Sequence, residues 1–434
     1  MEPMLVGIIG FLVLFVILFA GMPIGLSMAL VGFVGWVVLA GFNGAIHQLG
    51  TVPFATVASF TLAVLPMFVL MGEWAYSSGL ADDAFTAAQK ALGRLPGGLA
   101  ISCIGTSAVF AACTGSSVAS AATMARVTLP SMRKYKYNPG LALGTIAAGG
   151  TLGILIPPSN PMILYAIITG TSVGKLFMGG FIPGILLSFL FIGTIYVICR
   201  ARPDMGPIGE KTSLREVLSS VKGLWSGFFL VAVVFVGIWG GVFSPSEAGA
   251  IGAFVSLVII FLKKGFNVPA IVQGLTGTVR TTAMVFIIII GAMIFGDFMT
   301  LSQLPAAMVD FIKYLQLSPT AVLVILMVVY IILGCPLDEL AMLLITMPIV
   351  FPVIKELGID PVHFGILFVI NSQMGTISPP YGMVVFVLAG MAKEVSMYTI
   401  FRGVLPFFVA MLICMGLIIA FPEIALWLPN TMRR

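Results

Sequence analysis

Two pairs of polar segments interrupt the apolar chain and contain the residue types that bind small ions. In the first half they are Thr114 to Ser117 and Gly149 to Pro161, and in the second half Gly334 to Glu339 and Asn371 to Gly382. Backbone that is unwound inside a membrane frees carbonyl oxygens, which suit Na⁺, and N–H groups, which attract a carboxylate. The spacing therefore predicts two cation sites, which together hold two or more Na⁺ ions, with one anion site between them.

The predicted site consists of backbone and side-chain oxygens from these four segments. The predicted substrate-binding residues are Ser116, Ser117, Pro157, Ser159, Asn160, Asp338 and Ser378. The residues predicted to surround Na⁺ are Thr114, Gly115, Ser116, Gly150, Thr151, Gly153, Cys335, Leu337, Asp338, Gly375 and Thr376. Asn371 and Ser372 supply further side-chain oxygens in the second half.

Few charged residues lie near these segments. Asp338 is expected to take part in ion or substrate binding, because a carboxylate near the middle of a membrane is costly and usually functional. Asp is also a favoured helix N-cap, and the two roles are compatible. Glu339 is expected to point away, Glu73 to lie at an interface, and Arg126 to have a structural role near the cytoplasmic surface. Since no Lys or Arg lies at a predicted tip or break, helix dipoles and hydroxyl groups would have to hold an anion.

The elements that position these residues occur twice, 222 residues apart and without a gap. The matched pairs are Cys113 with Cys335, Ala119 with Ala341, Pro130 with Pro352, Pro139 with Pro361, Gly153 with Gly375, and Pro157-Pro158 with Pro379-Pro380. In each copy two apolar arms flank a polar tip, which predicts a re-entrant helical hairpin. A helix follows and meets clustered prolines, which cannot continue it. A duplicated membrane unit with helices broken at matching places is typical of a secondary transporter.

The composition is that of a membrane protein. Of the 434 residues, 60% are hydrophobic and 9% are charged, whereas about a quarter of the residues in a soluble domain are charged. Apolar runs such as 24–40, 224–243 and 283–299 recur along the chain, and each approaches the ~20 residues that cross a hydrocarbon core. We therefore predict an all-α polytopic membrane protein embedded in the lipid bilayer. The net charge of +5 does not indicate nucleic acid, because the basic residues lie in short loops between helices.

The charges of two matched loops orient the two copies. The loop at 132–138 is strongly basic, and its counterpart at 354–360 is net acidic. The positive-inside rule places the first loop in the cytoplasm and the second outside, so the copies form an inverted repeat. This orientation puts 16 of the 21 basic residues in the cytoplasm and both termini outside. The amphipathic segments 80–92 and 304–315 are predicted to lie on the membrane surface as interfacial helices.

Three parts of the chain resemble the large membrane subunit of a TRAP transporter, the DctM- or SiaM-type permease of the ion transporter superfamily. They are Gly115-Ser116-Ser117 with Ala119 and Ala121-Ala122, the segment from Gly150 to Ser159, and the segment from Asp338 to Gly382. The resemblance implies Na⁺-driven import of a small carboxylate, such as sialic acid or a C4-dicarboxylate, across the bacterial inner membrane. It also implies two protein partners, a small DctQ-type membrane subunit and a DctP-type periplasmic substrate-binding protein.

The resemblance further implies an elevator mechanism, in which a transport domain slides against a scaffold. The transport domain would comprise residues 97–175 and 320–395, each with one hairpin and one broken helix. The scaffold would comprise residues 1–96, 176–319 and 396–434. The first of these ranges ends in an interfacial helix, the second contains a cytoplasmic linker at 201–222, and the third contains a C-terminal helix.

The same residues bear on three alternative functions. A proton-coupled organic-anion carrier of the same fold stays open, because the lack of a His or of paired carboxylates at the tips favours Na⁺ without excluding H⁺. A channel would need a continuous pore, which two opposed hairpins do not provide. An intramembrane protease is disfavoured, since the two histidines, His47 and His363, are predicted to lie far from Ser116. We therefore expect a transporter that is not an enzyme.

Overall fold

The computed structural model describes residues 2–209 and 213–432, without the side chains of residues 112–114, 214, 218 and 221. Within these ranges the chain forms twenty α-helices, two short 3₁₀ turns and no strand, which confirms the all-α prediction. The helices are α1 (Pro3–Phe19), α2 (Ile24–Val57), α3 (Val64–Ser77), α4 (Leu80–Leu92), α5 (Gly98–Thr114), α6 (Ser117–Lys134), α7 (Pro139–Leu155), α8 (Asn160–Thr169), α9 (Val173–Ala201), α10 (Leu214–Val221), α11 (Trp225–Trp239), α12 (Pro245–Lys264), α13 (Val268–Leu301), α14 (Leu304–Tyr314), α15 (Pro319–Leu333), α16 (Glu339–Glu356), α17 (Pro361–Ile377), α18 (Met383–Met391), α19 (Met397–Ala420) and α20 (Glu423–Asn430).

The molecule has the dimensions and surface of a polytopic membrane protein. In the described part of the chain, eight helical segments are long and apolar enough to cross a membrane by length and composition. Large apolar side chains such as Phe54, Phe189 and Phe254 are exposed on the outer helices. Such side chains are stable on the surface only where lipid replaces water.

The helix boundaries repeat along the chain. α6 and α16 begin and end 222 residues apart, and so do α7 and α17. The hairpin tips and the breaks lie where the sequence predicts them: α5 and α6 are separated at Gly115 and Ser116, and α17 ends one residue before Ser378. The two segments predicted to be interfacial form the helices α4 and α14, and their location on the membrane surface stays a prediction. The inverted orientation of the two copies stays a prediction from the loop charges.

The two broken helices lie at the centre of the molecule. Every residue of α7 from Gly140 to Leu155 is buried, and so is every residue of α17 from Val362 to Ile377. α7 packs against α5, α6 and α19, while α17 packs against α15, α16 and α19. Unwound backbone at membrane depth is tolerated only when protein or a polar cavity surrounds it, and this enclosure provides those surroundings.

Three elements differ from the apolar runs of the sequence. α2 continues to Val57 through a kink at Gly41, whose φ of 83° is not helical. α13 begins at Val268, well before the run at 283–299, because polar residues such as Gln273 and Arg280 lower the hydropathy without ending the helix. The short helix α20 follows α19 after Pro422, so the C-terminal segment contains two helices instead of one.

The crossing of α7 and α19 depends on glycine. A Cβ atom on Gly403 would overlap the carbonyl group of Gly140, and one on Gly144 would overlap the carbonyl group of Gly403. Small residues allow this close approach of helix backbones inside membranes. We expect Gly403→Leu to lower the melting temperature of the purified protein by several degrees, at a cost of about 1–3 kcal/mol for overpacking.

The matched control for this substitution lies on the same helix. Gly416 has no atom within 4 Å of its added Cβ position and is exposed. Gly416→Leu should therefore leave the melting temperature within about a degree of wild type, since surface substitutions have small effects. Equal melting temperatures for the two variants would show that the α7–α19 crossing does not need glycine.

Candidate functional site

The tip of the first hairpin lies against the first helix break. Gly115 adopts a left-handed conformation, with φ 59°, and a Cβ there would lie 3.3 Å from the carbonyl oxygen of Pro158 and 3.5 Å from the backbone nitrogen of Asn160. The next residue, Ser116, caps α6 by accepting a hydrogen bond from the backbone N–H of Ala119 at 3.4 Å. A predicted tip and a predicted break thus meet in the structure.

Two glycines of α7 allow α6 to approach closely. A Cβ on Gly150 would lie 2.9 Å from the carbonyl oxygen of Ser117, and one on Gly153 would lie 3.1 Å from that of Ser116. Thr151 is fully buried and donates its hydroxyl to the carbonyl oxygen of Ala148 at 2.6 Å. The side chain of Thr114, also a predicted Na⁺ ligand, lies outside the described residues.

The second tip meets the second break in the same way. Cys335 Sγ lies 3.4 Å from Ser378 Oγ and 3.5 Å from the carbonyl oxygen of Pro379. A Cβ on Gly375 would lie 2.5 Å from the carbonyl oxygen of Gly334. Thr376 donates its hydroxyl to the carbonyl oxygen of Gln373 at 2.9 Å. The predicted residues of the second half therefore form one cluster, with Leu337 partly buried beside it.

Two acidic residues lie at the second tip. Asp338 caps α16, and its Oδ1 accepts a hydrogen bond from the backbone N–H of Ala341 at 2.6 Å. Asp338 therefore has the same position and capping role in the second hairpin as Ser116 has in the first. Glu339 does not point away as expected: its Oε2 accepts a hydrogen bond from Gln373 Nε2 at 2.8 Å.

A cavity of about 430 Å³ lies between the two tips, the first break and helices α3 and α13. Its volume is typical of a site for a small molecule. Its polar wall is formed by Glu73, Tyr76, Ser116, Thr123, Arg126, Asn160, Thr281 and Glu339. We call this space the central cavity. It brings Ser116 and Asn160, two of the predicted substrate-binding residues, together with a residue of the second tip.

Other predicted substrate-binding residues lie away from the central cavity. The ring of Pro157 packs toward α9, where a Cβ on Gly180 would lie 3.3 Å from its Cγ. Ser159 and Ser378 are buried in the protein near the breaks. Asn371 is turned toward α15, since its Nδ2 donates to the carbonyl oxygen of Met327 at 2.7 Å.

Several buried polar atoms around the tips have unused bonding capacity. Among the described residues, Ser117 Oγ, Ser159 Oγ, Asn371 Oδ1 and Gln373 Oε1 have no hydrogen-bond partner. Ser117 and Gln373 are each only 1% exposed. Buried polar groups are nearly always hydrogen-bonded to protein, water or a ligand, so these atoms are suited to bind an ion, a water molecule or a polar solute.

The central cavity is also lined by Arg126, Glu73 and Glu339, for which the sequence predicts other roles. Arg126 NH1 donates to the hydroxyl group of Tyr76 at 3.1 Å, and both residues line the central cavity. A signal was present in the sequence. Residues 116, 119, 123 and 126 recur at helical spacing, as do 69, 72, 73 and 76, and each set lies on one face of a helix.

A second cavity of about 560 Å³ adjoins the central cavity and shares Tyr76, Thr123 and Arg126 with it. Its other polar residues include Asp82 and Lys264. Lys264 belongs to the group of basic residues that the loop charges assign to the cytoplasm. Arg126 and Tyr76 therefore lie where the central cavity adjoins the second cavity. The second cavity is on the side of the molecule that is predicted to face the cytoplasm.

Comparisons with known proteins agree on one family. Residues 11–424 match the family described as "Tripartite ATP-independent periplasmic transporter, DctM component". The chain is 33% identical over 417 residues to the sialic acid TRAP transporter large permease protein SiaM of Vibrio cholerae, covering 95% of this chain and 96% of that protein. It is 35% identical over 388 residues to the C4-dicarboxylate TRAP transporter large permease protein DctM of Pseudomonas aeruginosa, covering 89% and 90%.

Solved structures with the same fold are also transporters. The Alcanivorax borkumensis YdaH transporter aligns with a TM-score of 0.68 at 15% identity, covering 98% of this chain and 100% of that chain. MtrF of Neisseria gonorrhoeae, described among antimetabolite efflux pumps, aligns with a TM-score of 0.60 at 15% identity, covering 88% and 85%. At this identity the likeness extends to the fold alone.

Proposed function

This chain belongs to the DctM family of TRAP large permeases, multi-pass membrane transporters without enzymatic activity, and on that premise we propose that it imports a small carboxylate in symport with Na⁺. The cargo would be of the sialic acid or C4-dicarboxylate class that the relatives are named for. The membrane would be the bacterial inner membrane, with both termini on the periplasmic side.

The central cavity is the observation that carries this proposal. It lies where the two hairpin tips and the first break meet, and Arg126 points a guanidinium group into it. The N-terminus of α6, with its cap Ser116, borders the same space. A helix N-terminus and a guanidinium group both attract a carboxylate, so the cargo's acidic group would bind on this side of the cavity.

Na⁺ would bind where each tip meets its break. The carbonyl oxygen of Pro158 faces Gly115, and the orphaned hydroxyl of Ser159 lies beside it. In the second half, Asp338, Ser378 and the carbonyl oxygen of Pro379 lie around the tip. Oxygen donors of this kind suit a small hard cation. An ion between tip and break would hold the hairpin in its binding conformation, so that ion and cargo raise each other's affinity.

The proposal includes the elevator mechanism and the two protein partners. Residues 97–175 and 320–395 would move together as the transport domain, and the remaining helices would form the scaffold. A small DctQ-type subunit would join the scaffold in the membrane, and a DctP-type binding protein would deliver the cargo from the periplasm. The second cavity adjoins the central cavity on the side predicted to face the cytoplasm, and this supports a conformation in which the site is open to the cytoplasm.

Uptake into proteoliposomes tests the proposal. The chain is reconstituted with its small subunit and binding protein, and labelled N-acetylneuraminate and succinate are offered. We expect saturable uptake that depends on the binding protein and follows an inward Na⁺ gradient. Uptake that follows a proton gradient without Na⁺ would establish the proton-coupled alternative. Flux that does not saturate and does not need the binding protein would indicate a channel.

A further inference from the structure

The charges in the central cavity are unbalanced. One cationic side chain, Arg126, faces it together with two acidic side chains, Glu73 and Glu339. The described part of the chain provides no ion pair for any of the three. Arg126 donates to the neutral phenol of Tyr76, so its charge is available to a bound anion.

The two carboxylates come from opposite walls. Glu339 begins α16 at the second tip, where it accepts a hydrogen bond from the neutral side-chain amide of Gln373. Glu73 lies on α3 and packs over a glycine of α13: a Cβ on Gly277 would lie 2.8 Å from its carboxyl carbon and 3.0 Å from each carboxyl oxygen. The missing side chain at residue 277 therefore leaves room for the Glu73 carboxyl group beside the cavity.

We infer that the cargo carries a single carboxylate, which Arg126 binds, and hydroxyl or amino donors at its other end, which Glu73 and Glu339 accept. This inference rests on the proposed function and narrows its substrate class. A second carboxylate on the cargo would meet two acidic side chains, and like charges at close range repel each other. A donor-bearing monocarboxylate instead offers further hydrogen bonds to both carboxylates. Discrimination of this kind depends on the repulsive contact as much as on the attractive one.

Binding to the purified permease tests the inference without selection by the binding protein. The full chain with its small subunit is titrated in Na⁺ with four acids: N-acetylneuraminate and D-gluconate (hydroxyl donors), L-serine (an ammonium donor) and succinate (a second carboxylate). We expect at least one donor-bearing monocarboxylate to bind at least about tenfold more tightly than succinate. The ranking of gluconate and serine shows whether hydroxyl or ammonium is preferred.

Charge-neutralising variants identify the source of the preference. Glu339→Gln should reduce the preference over succinate about tenfold or more, and Glu73→Gln should act in the same direction from the scaffold wall. Two variants on separate elements keep the test decisive if one fails to fold. Glu356→Gln is the matched control, because Glu356 ends the same helix as Glu339 but pairs with Lys313 on the surface.

Each outcome is decisive. The inference is overturned if succinate is the tightest Na⁺-dependent ligand. It is also overturned if the preference over succinate is unchanged in both Glu339→Gln and Glu73→Gln. Either result leaves the proposed function standing. Absence of Na⁺-dependent binding for all four acids overturns the proposed function and the inference with it.

Discussion

Asp338→Ala is expected to abolish Na⁺-driven uptake while the protein remains folded. The carboxylate caps α16 at the second tip, whose Cys335 contacts Ser378 of the second break, and the oxygen atoms of this region are proposed to hold a cation. Its removal would take away the carboxylate proposed to bind that cation, and charge-assisted binding would be lost with it. The measurement is uptake into proteoliposomes under an inward Na⁺ gradient, with the melting temperature recorded for the same preparation.

The structure also shows a purely structural role for Asp338, and a second substitution separates the two. Asp338 caps α16, and losing a cap costs about 0.5–2 kcal/mol. Serine caps α6 at the equivalent position, where Ser116 accepts from the N–H of Ala119. Asp338→Ser should therefore keep the cap and the melting temperature but still lose Na⁺-driven uptake. Uptake at the wild-type rate in Asp338→Ser would limit the residue to capping.

The local structure of the site could be predicted from the sequence because proline and glycine act on the backbone directly. Pro157 and Pro379 lie in the breaks, and Gly115 lies at the tip in a left-handed conformation. Proline lacks an N–H donor and glycine tolerates a positive φ, and both properties are the same in any surroundings. The matched spacing of the two copies predicts one tip and one break in each copy, and the contacts of Cys335 with Ser378 and Pro379 join the tip and the break of the second copy.

The walls of the central cavity could not be predicted from local pattern. Glu73 and Tyr76 reach the site from α3, and Thr281 from α13. Their positions depend on how the outer helices pack against the hairpins, which is a long-range property of the fold. Helical spacing shows that Ser116 and Arg126 share a face of α6, but it does not show whether that face meets lipid, protein or a cavity. For the same reason the direction of Glu339 became clear only from its contact with Gln373.

The position of Arg126 leads to the second large effect. Arg126→Gln is expected to weaken cargo binding by about tenfold to 100-fold, because hydrogen bonds to charged groups contribute about 1.5–3 kcal/mol. Arg126→Lys keeps the charge but loses the planar pair of donors that fits a carboxylate, so an intermediate loss is expected. The measurement is the dissociation constant of the cargo in Na⁺, alongside the concentration dependence of uptake.

The same helix provides the control. Arg133 lies two turns beyond Arg126 and pairs with Glu394, away from the central cavity. Arg133→Gln removes an identical charge from α6 and should leave cargo affinity within about threefold of wild type, because exposed ion pairs contribute about 0–1 kcal/mol. If Arg126→Gln binds cargo normally but transports it slowly, the guanidinium group acts through Tyr76 as a contact between the two cavities. In that case the helix dipole and hydroxyl groups of the first tip would have to hold the carboxylate unaided.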